Sequence, residues 1–112
     1  MTDQRPETDE EFLTLCDLPP HPHALRIALA VRRTIASFAD VNPQMIHAGD
    51  RIPDDLGDIF IYESPIAVEF IMVLERELNT RLPDSAADIL CKETVTVKEI
   101  VSEINRLVSG QL

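Results

Sequence analysis

The stretch from Glu63 to Leu78 has the residue pattern of a single helix with a serine in its first turn. Ser64 is a common capping residue, because its hydroxyl accepts a hydrogen bond from a free backbone N–H of the first turn. Pro65 suits the next position, where its missing N–H breaks no helical hydrogen bond, and Glu63 lies at the positive end of the helix dipole. Apolar residues then recur at helical spacing and predict a core-facing stripe: Ala67, Phe70, Ile71, Leu74 and Leu78.

Two apolar residues of this helix, Val68 and Met72, fall outside the stripe. Their neighbours on the same side are Glu69, Glu75 and Arg76. The pattern therefore predicts two solvent-exposed apolar side chains in a largely acidic setting, one and two turns below the serine.

Two further stretches have the same periodicity and predict long helices. The first runs from His23 to Ala39 and places Arg32 and Arg33 on the face opposite its apolar stripe, which consists of Ala24, Ala28, Val31, Ile35 and Phe38. The last begins after Thr94 or Thr96, and its stripe consists of Val97, Ile100, Val101, Ile104, Leu107 and Val108. A short helix capped by Asp84 or Ser85 and ending near Leu90 is expected between the central helix and the last helix.

The connections complete the predicted architecture. A long loop from about residue 40 to 63 separates the first two long helices, and its apolar anchors to the core are expected at Val41, Ile46, Ile52 and Leu56. Its β-prone segment Asp58–Tyr62 has no pairing partner nearby, so turn or extended structure is expected there. The fold class is predicted to be all-α: a small four-helix bundle over residues 23–112, with three longer helices and one short one.

Residues 1–22 form a separate extension in this interpretation. Thr8 and Glu11 have the spacing of a capping box, so a short helix of one or two turns is expected there. The prolines from Pro19 onward end it. The extension is either a flexible, loosely docked tail or a partner-binding peptide, and the tail is favoured.

Composition excludes several classes of function. The formal net charge of -10 opposes binding to nucleic acid, which needs a basic surface. No apolar run is long enough to cross a bilayer, and the acidic N-terminus lacks a signal-peptide core, so a cytoplasmic protein is expected. The chain is also expected to be a monomer. In that compartment Cys16 and Cys91 are expected to be reduced thiols, with Cys91 partly buried.

No catalytic or metal constellation emerges from the residues themselves. His21, His23 and His47 do not combine with cysteine or carboxylate at a ligand-like spacing. The acidic residues Asp54, Asp55 and Asp58 lack the spacing of a calcium loop, which leaves a solvated acidic loop as the interpretation. Ser64 is not part of a G-x-S-x-G nucleophile elbow, and the sequence places no catalytic base beside it. An enzyme is therefore not expected.

Several motifs nevertheless resemble the acyl carrier protein family, from about Val31 to the end of the chain. The first-helix segment Val31–Ile35 is similar to the family pattern, and Asp55-Leu56-Gly57 matches its D-L-G turn. The run Val68–Glu75 resembles V-E-L-V-M-x-L-E, and Leu82-Pro83-Asp84 matches the I-P-D that follows it. The family's D-S-L is Glu63-Ser64-Pro65 here, and the spacing from Gly57 to Ser64 is lengthened at Asp58–Tyr62.

The resemblance implies transport rather than catalysis. A phosphopantetheinyl transferase would attach 4'-phosphopantetheine covalently to Ser64, and the thiol of that arm would carry acyl groups as thioesters in a specialised fatty-acid or secondary-metabolite pathway. Acyl-transferring and acyl-modifying enzymes with basic docking surfaces are the implied partners. The implied docking face consists of Glu63, Val68, Glu69, Met72 and Glu75. The alternative is an unmodified, carrier-like module for protein–protein interaction.

Overall fold

The computed structural model describes residues 6–17, 22–52, 55, 64–91 and 94–109. Within them lie four α-helices: α1 (Asp9–Leu15), α2 (Pro22–Ala39), α3 (Ser64–Leu78) and α4 (Val97–Ser109). Two 3-10 helices span Pro43–Met45 and Asp84–Cys91, and two-residue strands β1 (Arg51–Ile52) and β2 (Val95–Thr96) pair antiparallel. The predicted helical bundle with a long first loop is confirmed. The expected short helix before α4 is of the 3-10 type.

The core lies between α2, α3 and α4, and α2 packs against both of the others. The predicted stripe of α3 is buried along its whole length, with Leu74 fully inaccessible. In α4 the stripe is buried except for the partly buried Leu107. Thr96 rather than Thr94 caps α4, because its Oγ1 accepts from the Glu99 backbone N–H at 3.3 Å while the Glu99 carboxylate accepts from the Thr96 backbone N–H.

The helix α1 packs against the core, so the expectation of a loosely docked tail is wrong for residues 6–17. Phe12 is completely buried, and Cys16 is nearly so. The predicted capping box is present: Thr8 Oγ1 accepts from the Glu11 backbone N–H, and the Glu11 carboxylate accepts from the Thr8 backbone N–H. The assignment of residues 23–112 as the acyl-carrier-like domain stays a prediction.

Arg32 lies on the face of α2 opposite the predicted apolar stripe, yet it is only 1% exposed. Its guanidinium donates to the backbone carbonyls of Glu7, Gln44 and Ile46, and it forms an ion pair with the Asp9 carboxylate at 2.9 Å. These bonds satisfy the donors of a buried cation, which would otherwise be costly to remove from water. Arg32 thereby ties α1 and the long loop to α2.

Three of the four expected anchors lie in the described part of the long loop, and two of these three are buried in the core. Ile46 and Ile52 are buried, as predicted. Val41 is 44% exposed, so its predicted anchoring is wrong: the chain leaves α2 at Asp40 in a left-handed turn that directs Val41 outward. Leu56 and the segment Asp58–Tyr62 lie outside the described residues. Pairing of β1 with β2 fixes the end of the loop segment beside the start of α4.

Among the described helices, none has both the length and the apolar character that crossing a membrane requires.

Candidate functional site at the start of helix α3

The helix α3 begins at Ser64, one residue before the predicted start, which made Ser64 the cap and Pro65 the first helical residue. The Ser64 side chain, and Glu63 before it, lie outside the described residues, as do Leu56 and Gly57 of the upstream turn. Ser64 as an attachment point therefore stays a prediction. The backbone places the serine in the first turn, where N–H groups have no helical partner and favour an anion.

Val68 and Met72 are exposed, as their positions outside the core stripe predicted. About half of each side chain is accessible to solvent: 48% for Val68 and 53% for Met72. Glu69 lies between them in the sequence and is also exposed. Large apolar side chains with this exposure, next to each other on one helix face, are candidates for a contact surface. Their role in docking stays a prediction.

These two residues line a groove of about 370 Å³ between α3 and the segment that follows it. We call it the α3 groove. Its wall is completed by residues from α3, from the turn after it and from the second 3-10 helix: Ile71, Glu75, Arg81, Leu82, Pro83 and Ala87. Leu82 and Pro83 of the predicted breaker thus do more than end a helix, because they line the groove.

Glu75 differs from the exposed acidic residue that the sequence indicated. It is only partly exposed, and its Oε2 accepts a hydrogen bond of 2.7 Å from the Leu82 backbone N–H. The Glu75 backbone carbonyl also accepts from the Thr80 N–H at 3.1 Å. One residue of α3 therefore holds the turn that follows the helix.

Sequence reasoning did not identify Arg81 as part of this site. Arg81 lies three residues beyond the end of α3, outside any periodic pattern, so helical spacing gave no signal for it. The only indication was its place directly before the Leu82-Pro83-Asp84 motif. The structure brings its side chain to the groove that Val68 and Met72 line.

The rest of the described chain offers no metal site. No group of three or more histidine, cysteine, aspartate or glutamate side chains in it is arranged to hold a metal ion. Cys16 is a free, buried thiol whose pKa is raised to about 11, chiefly by burial and secondarily by the Glu7 carboxylate. A thiol held protonated in this way is a poor nucleophile at neutral pH. The Cys91 side chain lies outside the described residues.

The acyl carrier protein of Campylobacter concisus is 31% identical to this chain over 77 residues, which cover 69% of the chain and 90% of that protein. The chain belongs to the acyl carrier protein family. No family model and no solved structure matches the sequence. Within the acyl carrier protein family, the helix that begins at Ser64 is the element of interest, because the motifs that carry the resemblance flank it on both sides.

Proposed function

We propose that this protein is a carrier that holds acyl intermediates as thioesters on a 4'-phosphopantetheine arm attached to Ser64. One structural relationship carries the proposal: α3 begins at Ser64 and, one and two turns later, exposes Val68 and Met72. The attachment residue and the contact surface would then lie on the same helix. A partner enzyme bound to that surface could reach the arm on Ser64 at the same time.

The chemistry at the helix start supports the same assignment. The phosphodiester of the arm would be an anion next to the free N–H groups of the first turn, where the helix dipole stabilises negative charge. The serine needs no activating base within this chain, since a separate transferase would supply the catalytic groups. The membership of the acyl carrier protein family supports this division of labour.

The contact surface would work as a transient docking face. Val68 and Met72 would supply apolar contact, while Glu63 and Glu69 would speed encounter with basic enzyme surfaces. Glu75 would contribute mainly by holding the turn beside the α3 groove. The phosphopantetheinyl transferase and acyl-handling enzymes of a fatty-acid or secondary-metabolite pathway would be the partners. An acidic protein of this charge would not be expected to bind nucleic acid.

The test is intact mass after incubation with coenzyme A and a panel of phosphopantetheinyl transferases. The wild-type chain should gain the mass of one phosphopantetheinyl group. Ser64→Ala should abolish the gain while its far-UV circular dichroism stays helical. Ser102→Ala, which removes an exposed hydroxyl from α4, is the matched control and should be loaded like the wild type.

Lack of modification by every transferase would contradict the proposal. The unmodified interaction module would then be the better description, and Ser64 would be a helix cap whose removal costs only about 1 kcal/mol of stability.

A further inference from the structure

Exposed charges of both signs lie in and next to the α3 groove: Arg81 lines it, and Glu69 follows Val68 in the helix. Glu69 and Arg81 are both exposed, and neither takes part in an ion pair among the residues that the structure describes. The Glu75 carboxylate, by contrast, already accepts a backbone hydrogen bond. The docking face therefore presents an available anion next to Val68 in α3, and the groove presents an available cation from the turn after α3.

The backbone around Arg81 is fixed by the residues on either side of it. The Thr80 N–H donates to the Glu75 carbonyl, and the Leu82 N–H donates to the Glu75 side chain. Leu82 is also buried in the core. A backbone fixed before and after Arg81 keeps the base of its side chain at the groove, so no backbone ordering is needed when the guanidinium meets a partner.

We propose that the α3 groove binds a protein segment that carries a carboxylate opposite Arg81, as well as a cation opposite Glu69 and an apolar side chain over Val68 and Met72. The inference rests on the proposed function in taking this groove as the docking face. A uniformly basic partner surface would place like charge against Arg81, which is unfavourable. Arg81 thus selects among otherwise similar basic partners.

The experiment is a double-mutant cycle on the unmodified, full-length chain. The probe is a synthetic helical peptide with a leucine stripe, lysines along one edge and one glutamate at the far end of the other edge. A second peptide has glutamine in place of that glutamate. Affinities are measured by fluorescence anisotropy at low salt, and contact sites by amide chemical shifts of the ¹⁵N-labelled protein.

We expect the glutamate peptide to bind the wild type about threefold more tightly than the glutamine peptide, which is the size of an exposed ion pair. The shifts should concentrate at Val68, Met72 and Arg81. Arg81→Gln should remove the discrimination between the peptides. Lys98→Gln makes the same change in net charge on α4, outside the groove, and should retain it.

Equal affinity of the wild type for the two peptides would overturn the proposal, as would discrimination that survives Arg81→Gln. So would the absence of shifts in the groove with either peptide. Because no phosphopantetheine is involved, these results are independent of whether Ser64 is loaded. A failure of the carrier proposal and a failure of the Arg81 assignment are therefore distinguishable.

Discussion

The Arg32 guanidinium lies over the ring of Phe12, with 4.5 Å between the Arg32 Cζ atom and the ring centroid. Both side chains are fully buried, so this cation–π contact is formed away from water, where such contacts are strongest. It joins a residue in the middle of α2 to one in α1. The N-terminal segment is therefore part of the folded structure in this protein.

Replacing Arg32 with methionine should destabilise the protein by at least about 2 kcal/mol. Methionine keeps much of the apolar stem but leaves three backbone carbonyls without their donor, and each unsatisfied buried group costs about 1–3 kcal/mol. Urea denaturation measures the change. The control is Arg33→Met, whose exposed ion pair with Glu77 is worth under about 1 kcal/mol. Equal stability of the two variants would show that the Arg32 contacts do not hold the fold.

Truncating Leu74 should cost about 2–5 kcal/mol, the range for leucine-to-alanine changes in a packed core. Leu74 is fully buried in the stripe of α3, and a loss of this size is a large part of a small domain's stability. Thermal melting followed by circular dichroism is the measurement. Met72→Ala on the exposed face of the same helix is the control and should melt nearly as the wild type does. Unchanged melting of Leu74→Ala would mean that the buried face has been assigned wrongly.

Reversing the charge of Glu69 should slow association with a phosphopantetheinyl transferase that has a basic docking surface, by about 3- to 10-fold at low salt. Added salt should reduce the difference, because exposed charges are screened over about 10 Å at 0.1 M ionic strength. Stopped-flow kinetics of Glu69→Lys provide the rates. Glu10→Lys, which makes the same charge change on α1, separates the local effect from that of net charge. A rate that is indifferent to both salt and Glu69 would refute electrostatic steering.

Cys16 should alkylate slowly in the folded protein. With its pKa raised from 9.0 to about 11, its thiolate fraction at pH 8 falls roughly hundredfold, and burial slows access further. The raised pKa also means that the folded state holds this proton more tightly than the unfolded state between about pH 9 and 11. The free energy of unfolding should therefore fall as pH rises through that window.

A Cys91→Ser variant isolates Cys16 for this measurement. Its reaction with iodoacetamide at pH 8 should be much slower than that of the same variant in urea. Its stability should fall more steeply from pH 9 to 11 than that of a variant with Cys16→Ala added. Rapid alkylation of the folded protein would show that the thiol is neither buried nor protonated.

Periodicity in the sequence determined the helices and most of their buried faces. The stripe of α3, including Leu74, and the exposure of Val68 and Met72 follow from the 3.6-residue repeat alone. Such patterns depend only on residues near one another in the chain, so they are visible without the fold. The motifs around Ser64 likewise indicated the family that the comparison with a known relative shows.

Only the tertiary structure decided what covers the face of α2 opposite its apolar stripe, and which residues complete the α3 groove. The repeat places Arg32 opposite the apolar stripe, but it does not show that α1 and the loop carbonyls bury that side. In the same way, nothing local predicts that the Glu75 carboxylate accepts from the Leu82 backbone, or that Arg81 lines the same groove as Met72. The Arg32 contacts join segments far apart in sequence, and the groove depends on the fold of the turn after α3. Such contacts form only when the whole chain packs, because burial of a polar group is stable only once its distant partners are in place.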